Sequence, residues 1–287
     1  MATPQDTVNL PPGSKHPPTH PSDDAATLIA RMEQYVTEQM SGHDPSHNPQ
    51  HVTRVVRLAH RILDAERARD PQGPAAQYDK TVVTLSAILH DIGDRKYLPK
   101  QPSSSSSPAT PPLITPQNII YHVLLNNGAS QHLAQTVQTI VTHVSYTTET
   151  KNPEKIQHLI DTDFPELAIV QDADRLDALG AMGIARCFTY LGAKGGGGGA
   201  DRASVGVRAS AGTQDDDDGV KLNGGEEEKN AVGRWELDEG IEHFGEKLEK
   251  LEGMMKTQTG REMARERSWR LQEFRRWWEE ETTLGAN

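Results

Sequence analysis

Apolar residues recur along most of this chain at steps of three and four, the spacing that gathers them on one face of an α-helix. Leu28, Met32, Tyr35, Val36 and Met40 form the first stripe, with Ser22 as its N-cap and Asp23 and Asp24 in the first turn. Val52, Val55, Val56, Ala59, Ile62 and Leu63 draw a second from Pro49 onward. A third helix, capped by Asp79, has a body from Thr81 to Ile92 that is apolar on almost every side, which predicts a central, buried element. Thr115-Pro116 opens a fourth, closed by Asn127-Gly128. Ser130 caps a fifth, with Leu133, Val137, Ile140, Val141 and Val144, and Pro165 starts a sixth through Ala168, Ile169, Asp172, Leu176 and Leu179. Leu237, Ile241, Phe244, Leu248, Leu251 and Met255 resume the pattern, and Met263, Leu271, Phe274 and Trp278 mark a final helix. No useful length of sequence alternates with period two. The expectation is an all-α, single-domain helical bundle whose C-terminal helix pair packs back on the rest.

The pattern fails in three tracts rich in proline, glycine or serine. These are residues 1–21, residues 99–112 with the run Ser103 to Ser107, and residues 194–233 with Gly195 to Gly199 and the acids Asp215 to Asp218 and Glu226 to Glu228. Such tracts cannot bury enough apolar surface to offset chain entropy. They predict a disordered tail and two disordered, solvated insertions in a domain spanning 22–283. Their dilution explains a hydrophobic content of only 34% over 287 residues. The formal net charge of −11 argues against a nucleic-acid partner. Cys187 stands alone, so there is no disulfide framework. No apolar run approaches the roughly 18 residues of a membrane span, and no basic segment followed by an apolar one opens the chain. The expectation is a cytoplasmic protein, the nucleus also being open to it, with no membrane partner.

Against this background a few polar residues are out of place. His90 and Asp91 end the most apolar helix in the chain, where a carboxylate is costly to desolvate unless it is paired. Asp172 shares a face with Ala168, Ile169, Leu176 and Leu179, and His51 falls at the edge of the face its helix buries. Each alone reads as a hydrogen-bonded core residue or a helix cap. Together, two histidines and two aspartates on three inward-facing helices could share one divalent cation.

The order His51, His90-Asp91, Asp172 resembles the HD superfamily of metal-dependent phosphohydrolases. The surroundings carry the resemblance further: Ser46-His-Asn-Pro-Gln-His-Val-Thr-Arg-Val55, Leu89-His-Asp-Ile-Gly-Asp94, and the long segment from Val170 through Gln-Asp-Ala-Asp-Arg-Leu-Asp-Ala-Leu-Gly to Arg186. It continues through Tyr190-Leu-Gly-Ala-Lys194 and from Ile241 to the last helix. The branch it is most similar to, small stand-alone HD hydrolases of bacterial type, includes manganese-dependent nucleoside triphosphate pyrophosphohydrolases. Asn48 stands where that branch often has an aspartate, and the serine-rich and glycine-rich insertions are absent from its compact members.

The resemblance implies a phosphohydrolase acting on a small phosphorylated substrate, a nucleotide, with His51, His90, Asp91 and Asp172 as ligands of one divalent ion. Hard phosphate oxygens suit Mn²⁺ or Mg²⁺, while imidazole ligands also admit Fe, Co, Ni or Zn. Asp91 would contact both ion and water, and Asp94, one helical turn on, would serve as base. Lys96, His143, Arg175 and Lys194 are the candidate substrate contacts. Arg54, by contrast, is expected to pair with an acid of its own core near Asp174 to Asp177. His122 and His143 raise a dinuclear alternative of the di-iron oxygenase kind, but His122 reads as structural and one metal is expected. A monophosphatase is the other alternative, and a non-catalytic binding module is the third. Oligomeric state is left open, a homodimer included.

Overall fold

The computed structural model describes residues 21–41, 48–92, 114–195 and 237–283. Residues 1–20, the serine-rich tract at 99–112, Asp94 and Lys96 lie outside the described residues, whereas Pro21, the last residue of the predicted tail, is helical. Eleven α-helices and no strand occur among the described residues: α1 (Pro21–Met40), α2 (Pro49–Arg69), α3 (Lys80–Leu89), α4 (Ile119–Asn126), α5 (Gln131–Thr142), α6 (Tyr146–Lys151), α7 (Pro153–Thr162), α8 (Glu166–Asp177), α9 (Gly180–Gly195), α10 (Leu237–Glu246) and α11 (Gln258–Thr283). α9 includes Lys194 and Gly195, so the glycine-rich tract predicted from 194 begins inside a helix, and the rest of it lies outside the described residues.

Capping side chains set several of these boundaries. Asn48 accepts hydrogen bonds from the N–H groups of Gln50 and His51, Asp79 from those of Thr81 and Val82, and Ser130 from that of Leu133. Gly128 ends α4 with φ 96°, a backbone conformation that costs glycine little. Gly180, at φ 68°, turns the chain sharply from α8 into α9. Two starts differ from expectation. α1 begins at Pro21, which puts Ser22 inside the helix. α4 begins at Ile119 because Asn118 Oδ1 accepts the Thr115 N–H and holds 115–118 in a turn.

α3 is the central element. Val82 through Leu89 are all buried, and successive faces feed three clusters. Val83 and Ala87 join the side chains of α2, α8, α9, α10 and α11; Leu85, Ile88 and Leu89 join α1, α4 and α5; Val82 joins α5, α7 and α8. α2 lies against both α3 and α8, so three helices with inward-facing polar residues meet. The C-terminal part packs back as predicted: Phe244, fully buried, makes edge and tilted contacts with Phe188 and Phe274 at centroid distances of 6.1 and 6.0 Å. The stripe from Leu237 to Met255 is not one helix, because α10 gives way to a 3₁₀ segment, Leu248–Met254. No helix among the described residues is long and apolar enough to cross a membrane.

Candidate metal centre

The N-terminal turn of α2, the end of α3 and the last turns of α8 converge on one point. Asn48 caps α2 so that His51 lies in its first turn, and α3 delivers His90 at its C-cap with Asp91 next to it. His51 Nε2 and His90 Nε2 face each other at 3.1 Å, with the rings edge to face. Asp174 Oδ1 stands 3.5 Å from the first and 3.6 Å from the second. The Asp91 oxygens lie 3.5 Å from His51 Nε2 and 3.4 Å from His90 Nε2. The imidazoles are almost fully buried, whereas the Asp91 and Asp174 side chains are 23% and 30% exposed. The arrangement is a floor of two histidines with a carboxylate rim open to solvent.

Hydrogen bonding on the far side of each ring decides what that floor can do. His51 Nδ1 is 2.8 Å from Asp177 Oδ2, and His90 Nδ1 is 2.8 Å from the carbonyl oxygen of Ala87. Both partners are pure acceptors, so each Nδ1 carries the ring proton and each neutral ring turns a lone pair at Nε2 toward the other. Two lone pairs at 3.1 Å beside two carboxylates need a positive charge among them. A proton is one answer: burial alone lowers the His90 pKa, but the neighbouring Asp91 and Asp174 charges and the Ala87 carbonyl outweigh it and hold the pKa above its ordinary value. A divalent cation is the other, and the donor set of two imidazoles and carboxylate oxygens fits one. Among the described residues, His51, His90 and Asp174 are the grouping whose donor atoms lie close enough together to hold an ion, and Asp91 borders it.

Asp172, predicted as the fourth ligand, is elsewhere. It is fully buried, as its helical face required, but it points at the start of α11. Its Oδ1 accepts the Lys256 N–H at 2.8 Å, and its Oδ2 accepts the Thr257 N–H at 2.8 Å and the Thr257 hydroxyl at 2.7 Å. The carboxylate is neutralised by a helix N-terminus and three donors rather than by a shared cation. Two residues further along α8, on the opposite side of the helix, Asp174 occupies the place predicted for it.

Arg175, predicted as a substrate contact, is likewise engaged elsewhere. The guanidinium is buried, paired with Glu149 and bonded to the Met254 carbonyl at 2.9 Å. Glu149 also pairs with Lys256, so this cluster ties α6 to α8 and to the turn before α11. Arg54 meets the expectation of a core acid: its Nε and Nη2 donate to the two oxygens of Asp177 at 2.7 and 2.9 Å. His143 C-caps α5, with Nδ1 on the Thr139 carbonyl, and neither it nor His122, whose ring lies against Tyr121, belongs to the cluster. The side chain of Lys194, like Asp94 and Lys96, lies outside the described residues. Burial pushes the Cys187 thiol up to about 11, which leaves no thiolate nucleophile at neutral pH.

Asp174 and Asp177 are the residues the sequence argument did not single out as functional. The signal was their spacing: 174 and 177 lie one turn apart on one face. A separate cleft of about 590 Å³, lined in part by Glu66, Arg69, Tyr78, Lys256 and Arg261, opens toward the other end of α2, and none of the cluster residues lines it.

The HD domain family profile matches residues 50–179, a span that includes all three helices of the cluster. The chain is 31% identical over 236 residues to the uncharacterised protein YpgQ of Bacillus subtilis, covering 82% of each. It is similar to the crystal structure of Bacillus subtilis YpgQ in complex with ADP, with a TM-score of 0.54 and 27% identity over 90% of this chain and 96% of that one. A Lactobacillus plantarum protein, 22% identical, shares the fold with a TM-score of 0.54 over 90% and 98% of the two chains.

Proposed function

The chain belongs to the HD superfamily of metal-dependent phosphohydrolases, and from that premise we propose that it cleaves a nucleoside triphosphate to the monophosphate and pyrophosphate. The observation that carries the reading is the pair of Nε2 atoms facing each other at 3.1 Å beneath a solvent-open rim of carboxylates. His51, His90, Asp91 and Asp174 would hold one divalent ion, Mn²⁺ or Mg²⁺ by the hardness of its phosphate partner. Bound there, the ion supplies Lewis acidity toward a phosphoryl oxygen and makes a neighbouring water more acidic.

In the proposed reaction, water oxygen bonds to the α-phosphorus, the α-phosphorus to bridging-oxygen bond breaks, and pyrophosphate carries away the electron pair. Asp94 is proposed to take the water proton, Asp91 to align that water, and Lys96 and Lys194 to offset phosphate charge. His143 has its Nδ1 engaged by Thr139, so its Nε2 is the atom proposed to meet substrate. A nucleotide as substrate draws support from the ADP complex of a relative. The test is ³¹P NMR of products from the purified protein with Mn²⁺, offered nucleoside triphosphates and monophosphates in turn. Pyrophosphate with nucleoside monophosphate is expected; orthophosphate from monophosphates alone would make it a phosphatase. Metal-loaded protein that releases neither would refute both.

A further inference from the structure

We propose that Asp177 is the positioning residue of the metal centre: anchored by Arg54 and Arg186, it fixes the ring proton of His51 on Nδ1 and so commits Nε2 to the cation. The inference rests on the metal-centre reading above and adds to it the element that makes His51 a ligand at all.

A histidine can ligate only through a nitrogen that has lost its proton, and which nitrogen that is depends on the partner of the other. The two histidines are set by different means. For His90 the partner is the Ala87 carbonyl, a backbone group of its own helix. For His51 it is a side chain from another helix, the carboxylate of Asp177 at 2.8 Å, only 1% exposed. Such a buried carboxylate is stable only where fixed donors meet its oxygens. Here Arg54 and Arg186 donate to it from two helices, and the third group that reaches it is His51 Nδ1, so the ring meets an acceptor on that side and leaves Nε2 bare.

The geometry of that anchoring is specific. Arg54 presents Nε to Oδ1 at 2.7 Å and Nη2 to Oδ2 at 2.9 Å, a two-pronged contact that fixes the plane of the carboxylate. Arg186 reaches Oδ2 from α9 at 3.2 Å. Arg54 lies one turn after His51 on α2, so the ring and the guanidinium approach Asp177 from one rigid element. Asp177 in turn lies one turn after Asp174 on α8, so that helix brings one donor directly to the cluster and orients a second from behind. A purely structural ion cluster would satisfy Asp177 with the two arginines and have no need of the ring.

The experiment combines calorimetric Mn²⁺ titration of the full-length protein with long-range ¹H–¹⁵N NMR of histidine rings in the metal-free state. Asp177→Asn is expected to weaken Mn²⁺ about 10- to 100-fold, the loss typical of an outer partner of a ligand histidine. The His51 ring proton should then be shared between Nδ1 and Nε2, with cooperative melting retained. Asp177→Glu, which keeps the carboxylate, should recover part of the affinity. If Asp177→Asn fails to melt cooperatively, Arg54→Gln replaces it and should move both readouts in the same direction by less. A folded Asp177→Asn or Arg54→Gln variant with wild-type Mn²⁺ affinity and His51 still protonated on Nδ1 overturns the proposal. His90→Ala separates the two levels: it should abolish Mn²⁺ binding, and if it does not, the metal-centre reading itself fails, whatever Asp177 does.

Discussion

Asparagine substitution of Asp172 and Asp174, one at a time, separates two carboxylates that sit two residues apart on one helix. At Asp172 the side chain accepts three hydrogen bonds at 2.7 to 2.8 Å from the chain entering α11. An asparagine can keep its oxygen on the two Thr257 donors, but its NH₂ then faces the Lys256 N–H. One buried hydrogen bond is lost and two donors are left opposed, costing roughly 1–3 kcal/mol. The favourable interaction of a negative charge with the α11 N-terminus, on the order of 1 kcal/mol, goes as well. Relief of the desolvation that pushes the Asp172 carboxyl upward offsets part of this. The net expectation is a destabilisation of about 2 kcal/mol, read as a fall in Tm of roughly 4–8 °C for a domain of this size. Mn²⁺ affinity should stay within about threefold. At Asp174, 30% exposed and bonded into no cap, the apo Tm should shift by no more than the equivalent of about 0.5 kcal/mol, while Mn²⁺ affinity falls by more than the roughly 100-fold upper cost of an outer-partner loss. Differential scanning calorimetry and metal titration on the same samples decide. The reverse pattern, metal lost at Asp172 and stability lost at Asp174, refutes the assignment.

The same geometry sets three further outcomes. Glu149 is held below its ordinary pKa because Arg175 and Lys256 outweigh the effect of its burial. Its stabilisation is therefore full above the unfolded-state carboxyl pKa of about 4.3 and lost as pH falls through the lower folded value. Glu149→Gln should cost about 3 kcal/mol at pH 7, with the gap to wild type narrowing in melts between roughly pH 5 and pH 3; a constant gap would rule the ion pair out as its origin. Phe244→Ala removes a fully buried ring from the Phe188–Phe274 cluster and should cost about 3–5 kcal/mol in urea unfolding. Saturating Mn²⁺ at about 100 times its dissociation constant should stabilise the wild type by about 2.7 kcal/mol and His90→Ala by nothing measurable, as melts with and without EDTA would show.

Most of the helical frame was legible because it rests on local chemistry. Asp79 and Ser130 cap where their positions indicated, and the all-round apolar character of Thr81 to Ile92 correctly placed α3 at the centre. α6 carries no apolar stripe, and that of α7 is a single short patch, Ile156, Leu159 and Ile160, of which only Ile156 is fully buried. The Leu237 to Met255 stripe reads as one helix, because a step of three such as Ile241 to Phe244 or Leu248 to Leu251 fits an α-helix and a short 3₁₀ segment alike. The site shows the boundary of what periodicity can tell. It showed correctly that Asp172 is buried, but not what would neutralise it, because a helix N-terminus and a metal both accept a carboxylate. Asp174 lies off the greasy face, so periodicity does not mark it. A ligand open to solvent on one side has no need to share the core's periodicity.

The contact between Asp172 and α11 also limits how this sequence can change over time. A methyl group added at Gly260 would overlap Asp172 Oδ2 and crowd the Thr257 hydroxyl that bonds to it. Any descendant that retains the acid must therefore retain a residue without a β-carbon in the first turn of α11. Loss of the acid frees the glycine, and loss of the glycine displaces the acid, so these two distant positions are expected to drift only as a pair. The aspartate beside the centre at 174 carries no such tie to α11, and its persistence would be dictated by chemistry alone.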